Sequence, residues 1–277
     1  MLRLWRDRLL VSLAPTAVSW VRVSGRFRPR ALGKHSIAVT SERGGEPWGD
    51  AVAVLQQEAE RLRRERLAVT VVLSNHFVRY TVVPPLGTTG SRDEALALAK
   101  FHFSKIHGER AATWDVRLAG PASSRPTLAS AIDVALLDSL KGCFPREGAA
   151  RLASVQPYTM SAFNFWRHKI GNDGAWLLLV EPGTACVAML AGNEWATIQT
   201  VRSAYAASDS WPALLEREKH RVGSRTIPRT VLTRSTVPPS SALGARKDWH
   251  FIALDPPAFP GLAENELEPY AMALHAA

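Results

Sequence analysis

Two stretches of this chain share one form: an apolar run, a turn holding Pro or Gly, the pair Thr-Ala, a second apolar run and a turn marked by Gly. The first runs from Leu10 through Ala14-Pro15-Thr16-Ala17 to Ser24 and Gly25. The second runs from Leu178 through Glu181-Pro182-Gly183-Thr184-Ala185 to Gly192. Apolar runs of about four to eight residues bounded by turn residues read as strands, and a short Pro/Gly connection joins them as hairpins. Setting Thr16 on Thr184 gives an offset of 168 residues, more than half of a 277-residue chain. A hairpin opening each of two halves predicts a duplicated architecture with a cleft between the halves.

A chain of this length that is 46% hydrophobic and 21% charged can bury the core of one or two domains. It holds no run of eighteen apolar residues, so no helical membrane span is predicted. Residues 1–11 are too charged for a signal peptide, which places the expected location in the cytoplasm. Cys143 and Cys186 lack metal-ligand spacing and read as packed thiols of a reducing compartment. The net charge of +9 favours anionic surfaces through long-range electrostatics. Only seven of the 34 basic residues are Lys, and an Arg-rich composition can follow from coding bias alone, so nucleic acid is not an expected partner. Two basic clusters remain: Arg3, Arg6 and Arg8 among Leu4, Trp5 and Leu9, suited to an anionic bilayer face, and Arg61, Arg63, Arg64 and Arg66 at a helix end.

Along the chain, residues 36–40 read as a third strand, and Asp50 as the cap of a helix to about Arg66 with Val52, Leu55, Ala59 and Leu62 on one face. Leu67–Leu73 is a buried-strand run. Residues 77–83 alternate like a half-exposed strand that Pro84-Pro85 ends. Ser91-Arg92-Asp93-Glu94 has the pattern of a capping box before a helix carrying Leu96, Ala99, Lys100 and Phe103. Strands follow at 113–118, 127–132 and 153–155, with a helix from Asp133 to about Cys143 and another from Pro157 to Lys169. After residues 171–174 come the second hairpin, strands at 195–201, 229–234 and 249–254, a helix at 214–222 and a final helix over 262–275. Hairpins mixed with crossover helices indicate an α/β chain with mixed sheets.

Catalytic signatures are missing. The chain has no Walker A loop, nucleophile elbow, His-Glu-x-x-His or Rossmann glycine fingerprint. His102 and His107, five residues apart, fall on different faces of a helix and read as surface histidines, so no metal site is expected.

The order of elements resembles the actin-like proteins of type IV pilus and type II secretion assembly, PilM and the cytoplasmic part of GspL. Residues 10–25 look like the first phosphate hairpin of that superfamily, and residues 177–202, with Gly192 and Arg202, like the second. Residues 73–84 followed by Glu94 are similar to the inserted subdomain of PilM and GspL, and residues 268–275 to a PilM-type C-terminal helix. The resemblance implies an α/β, actin-like (ribonuclease H-like) duplicated fold. Residues 1–170 would form the first half, with an inserted α+β subdomain at about 74–140, and residues 171–277 a shortened second half with a reduced lid. It also implies a nucleotide cleft touching Thr16, Glu181, Gly183 and Thr184, and a groove beside the insert where PilM takes a peptide of the membrane protein PilN. Phe77, Arg79, Tyr80, Phe101 and Phe103 are the candidate contacts for that peptide.

Departures from the family pattern bear on function. The Asp-Ile-Gly of the first hairpin reads Leu13-Ala14-Pro15, which offers neither a magnesium-binding carboxylate nor an amide hydrogen at Pro15. The second reads Glu181-Pro182-Gly183, and residues 233–239 replace the adenosine-binding Gly-Gly. The expectation is a cytoplasmic, non-catalytic scaffold at the inner-membrane face, without ATP or magnesium. It would dock a PilN-like protein and meet an assembly ATPase or an anionic membrane surface. A weak ATPase or phosphotransferase using Glu181, and a basic lipid- or nucleic-acid-surface binder, are the alternatives.

Overall fold

The computed structural model of the chain describes residues 7–24, 28–40, 45–87, 90–120, 125–202, 210–222, 226–236, 245–246 and 248–277. The first half opens with β1 (Asp7–Ala14), β2 (Ala17–Ser24), β3 (Arg30–Ala38), α1 (Gly49–Leu62) and β4 (Leu67–Leu73). Next come β5 (Val78–Val83), α2 (Arg92–His107), a 3-10 segment (Gly108–Thr113), β6 (Trp114–Leu118), β7 (Thr127–Asp133), α3 (Val134–Cys143), β8 (Arg151–Pro157) and α4 (Tyr158–Trp166). The remainder is β9 (Gly174–Glu181), β10 (Thr184–Ala191), β11 (Glu194–Arg202), α5 (Trp211–Lys219), β12 (Thr230–Ser235), β13 (Ala245–Arg246), β14 (Trp249–Ala253) and α6 (Ala271–Leu274).

The duplication lies in the sheets. One has the order β3-β2-β1-β4-β8 and another β11-β10-β9-β12-β14-β13. In each, an antiparallel three-stranded meander is extended by two parallel strands: β4 runs parallel to β1 and β8 to β4, as β12 does to β9 and β14 to β12. α1 links β3 to β4, and α5 links β11 to β12. This is the mixed α/β, duplicated plan expected from the sequence.

The turns fix the internal alignment. Ala14 pairs with Ala17 and Glu181 with Thr184, so the two-residue turns are Pro15-Thr16 and Pro182-Gly183. The halves therefore correspond at an offset of 167 residues, one less than the Thr16–Thr184 match suggests. Ala14 answers to Glu181, and Thr16 to Gly183. The slip matters because strand faces alternate with period two. At the correct offset Leu9, Val11 and Leu13 take the places of Trp176, Leu178 and Val180.

Contacts divide the chain into two compact units: Met1–Phe77 with Asp133–Phe165 and Pro256–Ala277, and Val78–Ile132 with Trp166–Asp255. In the first, Leu10, Val21 and Val23 pack on Phe259, Leu267, Tyr270 and Leu274 of the C-terminal segment. On the other face Trp20, paired with Val11, donates its indole N–H to Glu58 of α1 at 3.1 Å. In the second, Trp176, Leu178 and Val180 of β9 pack with Trp211, Leu214 and Leu215 of α5 and with Trp249 and Phe251 of β14. Every residue of β9 is buried, which is why its sequence reads as a continuous apolar run instead of an alternation.

Some local expectations change. α1 begins after Trp48 with no side-chain cap and ends at Leu62, with Asp50 inside its first turn. Arg61 and Arg63 there pair with Glu58 and Glu60 of their own helix at 2.6 and 3.1 Å. Arg3 and Arg6 of the N-terminal cluster lie outside the described residues. The expected C-terminal helix is instead two 3-10 turns, Glu264–Glu266 and Glu268–Tyr270, and the one-turn α6, because Pro269 cannot continue a helix begun before it. The capping box forms in full: the Ser91 hydroxyl accepts from Glu94 N–H at 3.1 Å and Glu94 Oε2 from Ser91 N–H at 2.8 Å. Ser91→Ala is expected to lower stability by about 1 kcal/mol, read as a lower urea midpoint with an unchanged slope. No helix among the described residues is long and apolar enough to cross a membrane.

Candidate functional site

The two hairpin turns are where an actin-like chain would hold a magnesium nucleotide. In the first, Leu13 is fully buried, Thr16 is exposed, and the Thr16 carbonyl accepts from Val39 N–H at 2.9 Å. In the second, Gly183 takes a left-handed φ of +80°, which only glycine adopts without strain. The Thr184 hydroxyl donates to the Val201 carbonyl at 3.2 Å, across the ladder from β10 to β11. Glu181 is 2% exposed, so its carboxylate belongs to the packed end of β9. Past β12, both the N–H and the hydroxyl of Thr236 donate to the Val180 carbonyl at 3.0 and 3.3 Å. Pro238 and Pro239 lie outside the described residues.

The first turn offers no carboxylate to magnesium. Magnesium is held through carboxylates and water, yet the place answering to Glu181 in the first hairpin is Ala14, beside the apolar Leu13 and a proline without an amide hydrogen. Among the described residues no three His, Cys, Asp or Glu side chains gather as they would around a metal ion.

The third sheet, in the order β5-β7-β6, lies in the second unit with α2 on one face. β5 pairs antiparallel with β7, Arg79 opposite Ala131, Thr81 opposite Ala129 and Val83 opposite Thr127. Paired residues share a face, and Val83, Ala129 and Ala131 pack against Ala95, Ala99 and Phe103 of α2. Arg79 is therefore on the helix side of the sheet, and Tyr80 on the other. β11 lies against β5, and Arg125 reaches Glu194 at its start with 3.9 Å between charges. Among the described residues no strand pairs with the outer edge of β6.

The five candidate contacts are not one surface. Phe77 is buried in the first unit, Phe103 is buried in the α2 core, and Phe101 is 61% exposed. The helix side of the sheet, which carries Arg79 and Phe103, also holds His107 and Trp114, which the sequence did not single out together. The His107 ring lies edge-on to Trp114 at 4.9 Å and 6.4 Å from Phe103, and Trp114 meets Phe103 at 6.0 Å. His107 is half-buried in this aromatic step, not a surface histidine. Burial lowers its pKa, and the charges of Arg79 and Arg110 lower it further. Arg79 too is pushed below the usual guanidinium value, by burial first and then by Arg202 and Arg110, while Tyr80 acts the other way.

By sequence, the chain matches no protein-family profile and no curated protein. Its structure matches PilM in a PilM–PilN type IV pilus biogenesis complex with a TM-score of 0.64 at 14% identity, over 97% of this chain and 96% of that one. It matches the cytoplasmic domain of EpsL, an inner membrane component of the type II secretion system of Vibrio cholerae, with a TM-score of 0.57 at 13% identity, over 96% and 94%. A protein of Bacteroides thetaiotaomicron with an actin-like ATPase fold and unknown function matches at 0.61 and 12% identity, over 98% and 96%. The chain therefore has the actin-like fold, and over nearly its whole length it is built like PilM and cytoplasmic EpsL.

Proposed function

We propose that this chain is a non-catalytic scaffold on the cytoplasmic face of a type IV pilus- or type II secretion-like assembly, docking a PilN-like membrane protein. The observation that carries this reading is the end-to-end likeness to PilM in a complex with PilN; cytoplasmic EpsL, from an inner membrane component of a secretion system, supports the same setting. The non-catalytic part rests on Ala14, Leu13 and Pro15 in the first turn, where phosphate and magnesium ligands would be needed. The competing reading is a weak ATPase, favoured by Glu181 and Gly183 in the second turn.

Magnesium ATP titrated into the full chain to millimolar concentration is expected to give no saturable heat. Saturable heat, with turnover abolished by Glu181→Ala, would overturn the non-catalytic reading. Partner docking is tested separately, by capture of the full chain on immobilised N-terminal peptide of the PilN-like protein from the same assembly. Capture is expected, and its absence for the wild-type chain defeats the scaffold reading.

A further inference from the structure

We propose that the C-terminal end of α2 is a docking site for a carboxylate side chain on an acidic, apolar-flanked segment of a protein partner, held by Arg79, Arg110 and Arg202 beside the His107–Trp114 step. The inference rests on the scaffold reading and names the chemistry that a partner segment would bring to this surface.

Four elements of one unit adjoin: β5, with Arg79, touches both α2, with His107, and β11, with Arg202, and α2 touches the 3-10 segment with Arg110. Arg79 lies on the α2 side of its sheet, and its Nη1 donates to the Val78 carbonyl at 3.0 Å. Arg110 and Arg202 are exposed, and among the described residues neither forms an ion pair with a carboxylate. The charges of Arg202 and Arg110 both push the Arg79 guanidinium below its usual value, with burial the larger cause. Cations do suit a helix C-terminus, but the macrodipole there amounts to about half an elementary charge, less than the charge of either exposed guanidinium, Arg110 or Arg202. Like charges repel, and an oxyanion taking paired hydrogen bonds from guanidinium offsets that repulsion.

The apolar surroundings favour a peptide over a small ion. Ile106, in the last turn of α2, is 68% exposed, and Trp114 is half-buried beside the charges. A free phosphate leaves that surface wet, whereas a segment with apolar residues flanking its carboxylate covers it. β6 begins at Trp114, so an extended segment pairing along its outer edge ends beside that indole.

The test uses the full chain with 13C-labelled histidine, following the His107 ring by NMR across a pH titration. The probes are acetyl-Leu-Glu-Leu-Glu-Leu-amide, its Gln counterpart, inorganic phosphate, and phosphatidylserine vesicles. The Glu peptide is expected to bind saturably and to raise the His107 pKa, since a bound carboxylate opposes the repulsion from Arg79 and Arg110. Its affinity should fall by about tenfold or more in Arg79→Gln and in Arg202→Gln, the latter at an exposed position where folding is not at stake. Equal binding of the Glu and Gln peptides, or unchanged affinity in both variants, overturns the proposal. So does a phosphate effect on His107 as strong as that of the Glu peptide, which makes the cluster a small-oxyanion site, or vesicle binding lost in the same variants, which makes it a membrane contact. If wild-type capture of the PilN-like peptide fails, the scaffold reading fails. If capture succeeds but the Glu peptide does not bind, only this inference fails.

Discussion

Gly174→Ala should destabilise the second unit by about 3 kcal/mol or more, far beyond an ordinary glycine-to-alanine exchange in a strand. Gly174 opens β9 with a φ of +88°, a conformation that costs an L-residue roughly 1–2 kcal/mol. A methyl group there would lie 2.0 Å from the Leu190 carbonyl oxygen and 2.7 Å from Gly192 N. Both are backbone atoms next to the β9–β10 ladder, where Gly174 pairs with Ala191, so the clash cannot be relieved by turning a side chain. Gly192→Ala is the control. It also has a positive φ, +58°, but its methyl would meet Asn172 O at 3.4 Å, an ordinary contact, and the expected loss is about 1 kcal/mol. Urea unfolding followed by tryptophan fluorescence separates the two, and equal losses would mean that the backbone moves aside at Gly174.

What was legible in the sequence is what is decided locally. Leu67–Leu73 is a strand because a seven-residue run, apolar but for Thr70, between polar residues has no better way to bury itself. The Ser91–Glu94 box forms because both its hydrogen bonds span three residues. Asp133 caps α3 through Ala135 N–H at 2.8 Å for the same reason. The two hairpins were legible as well, but not their register. The repeated Thr-Ala pair drew Thr16 onto Thr184, while the ladders place Pro15 on Pro182. Turn geometry fixes register, and a dipeptide match carries no turn geometry.

The charged cluster is harder to read for a different reason. Arg79, His107, Arg110, Trp114 and Arg202 are spread over more than a hundred residues, and the packing of α2 and of β11 against β5 brings their elements together. No period or spacing in the sequence encodes that meeting. The pair His102 and His107 carried one usable signal, since a histidine in the last turn of a helix followed seven residues on by Trp can stack only if the chain turns back. The five peptide-contact candidates fall on one strand and one helix of the sequence pattern, and the alternation of strand faces separates Arg79 from Tyr80.

Trp176→Ala is expected to cost about 4 kcal/mol. The indole is fully buried, edge-on to Trp249 with centroids 5.9 Å apart, and packed with α5 and β14 in one cluster. Its Nε1–H donates to the Pro228 carbonyl at 3.1 Å, in the segment that leads into β12. Truncation therefore opens a cavity under the sheet and leaves a buried acceptor without its donor. Trp176→Phe divides these contributions: it keeps much of the ring volume but not the N–H, and should cost about 1–3 kcal/mol. The place answering to Trp176 in the first hairpin is Leu9, a smaller, fully buried side chain with no polar atom, and Leu9→Ala should cost about 2–5 kcal/mol through its cavity alone. Hydrogen exchange then reports which ladder loosens. Trp176→Ala should lower protection in β9, β12 and β14, whose parallel pairing frames the indole. If β9 amides stay protected while global stability drops, the second sheet is held by its ladders and not by this tryptophan, and the packing account of that unit is wrong.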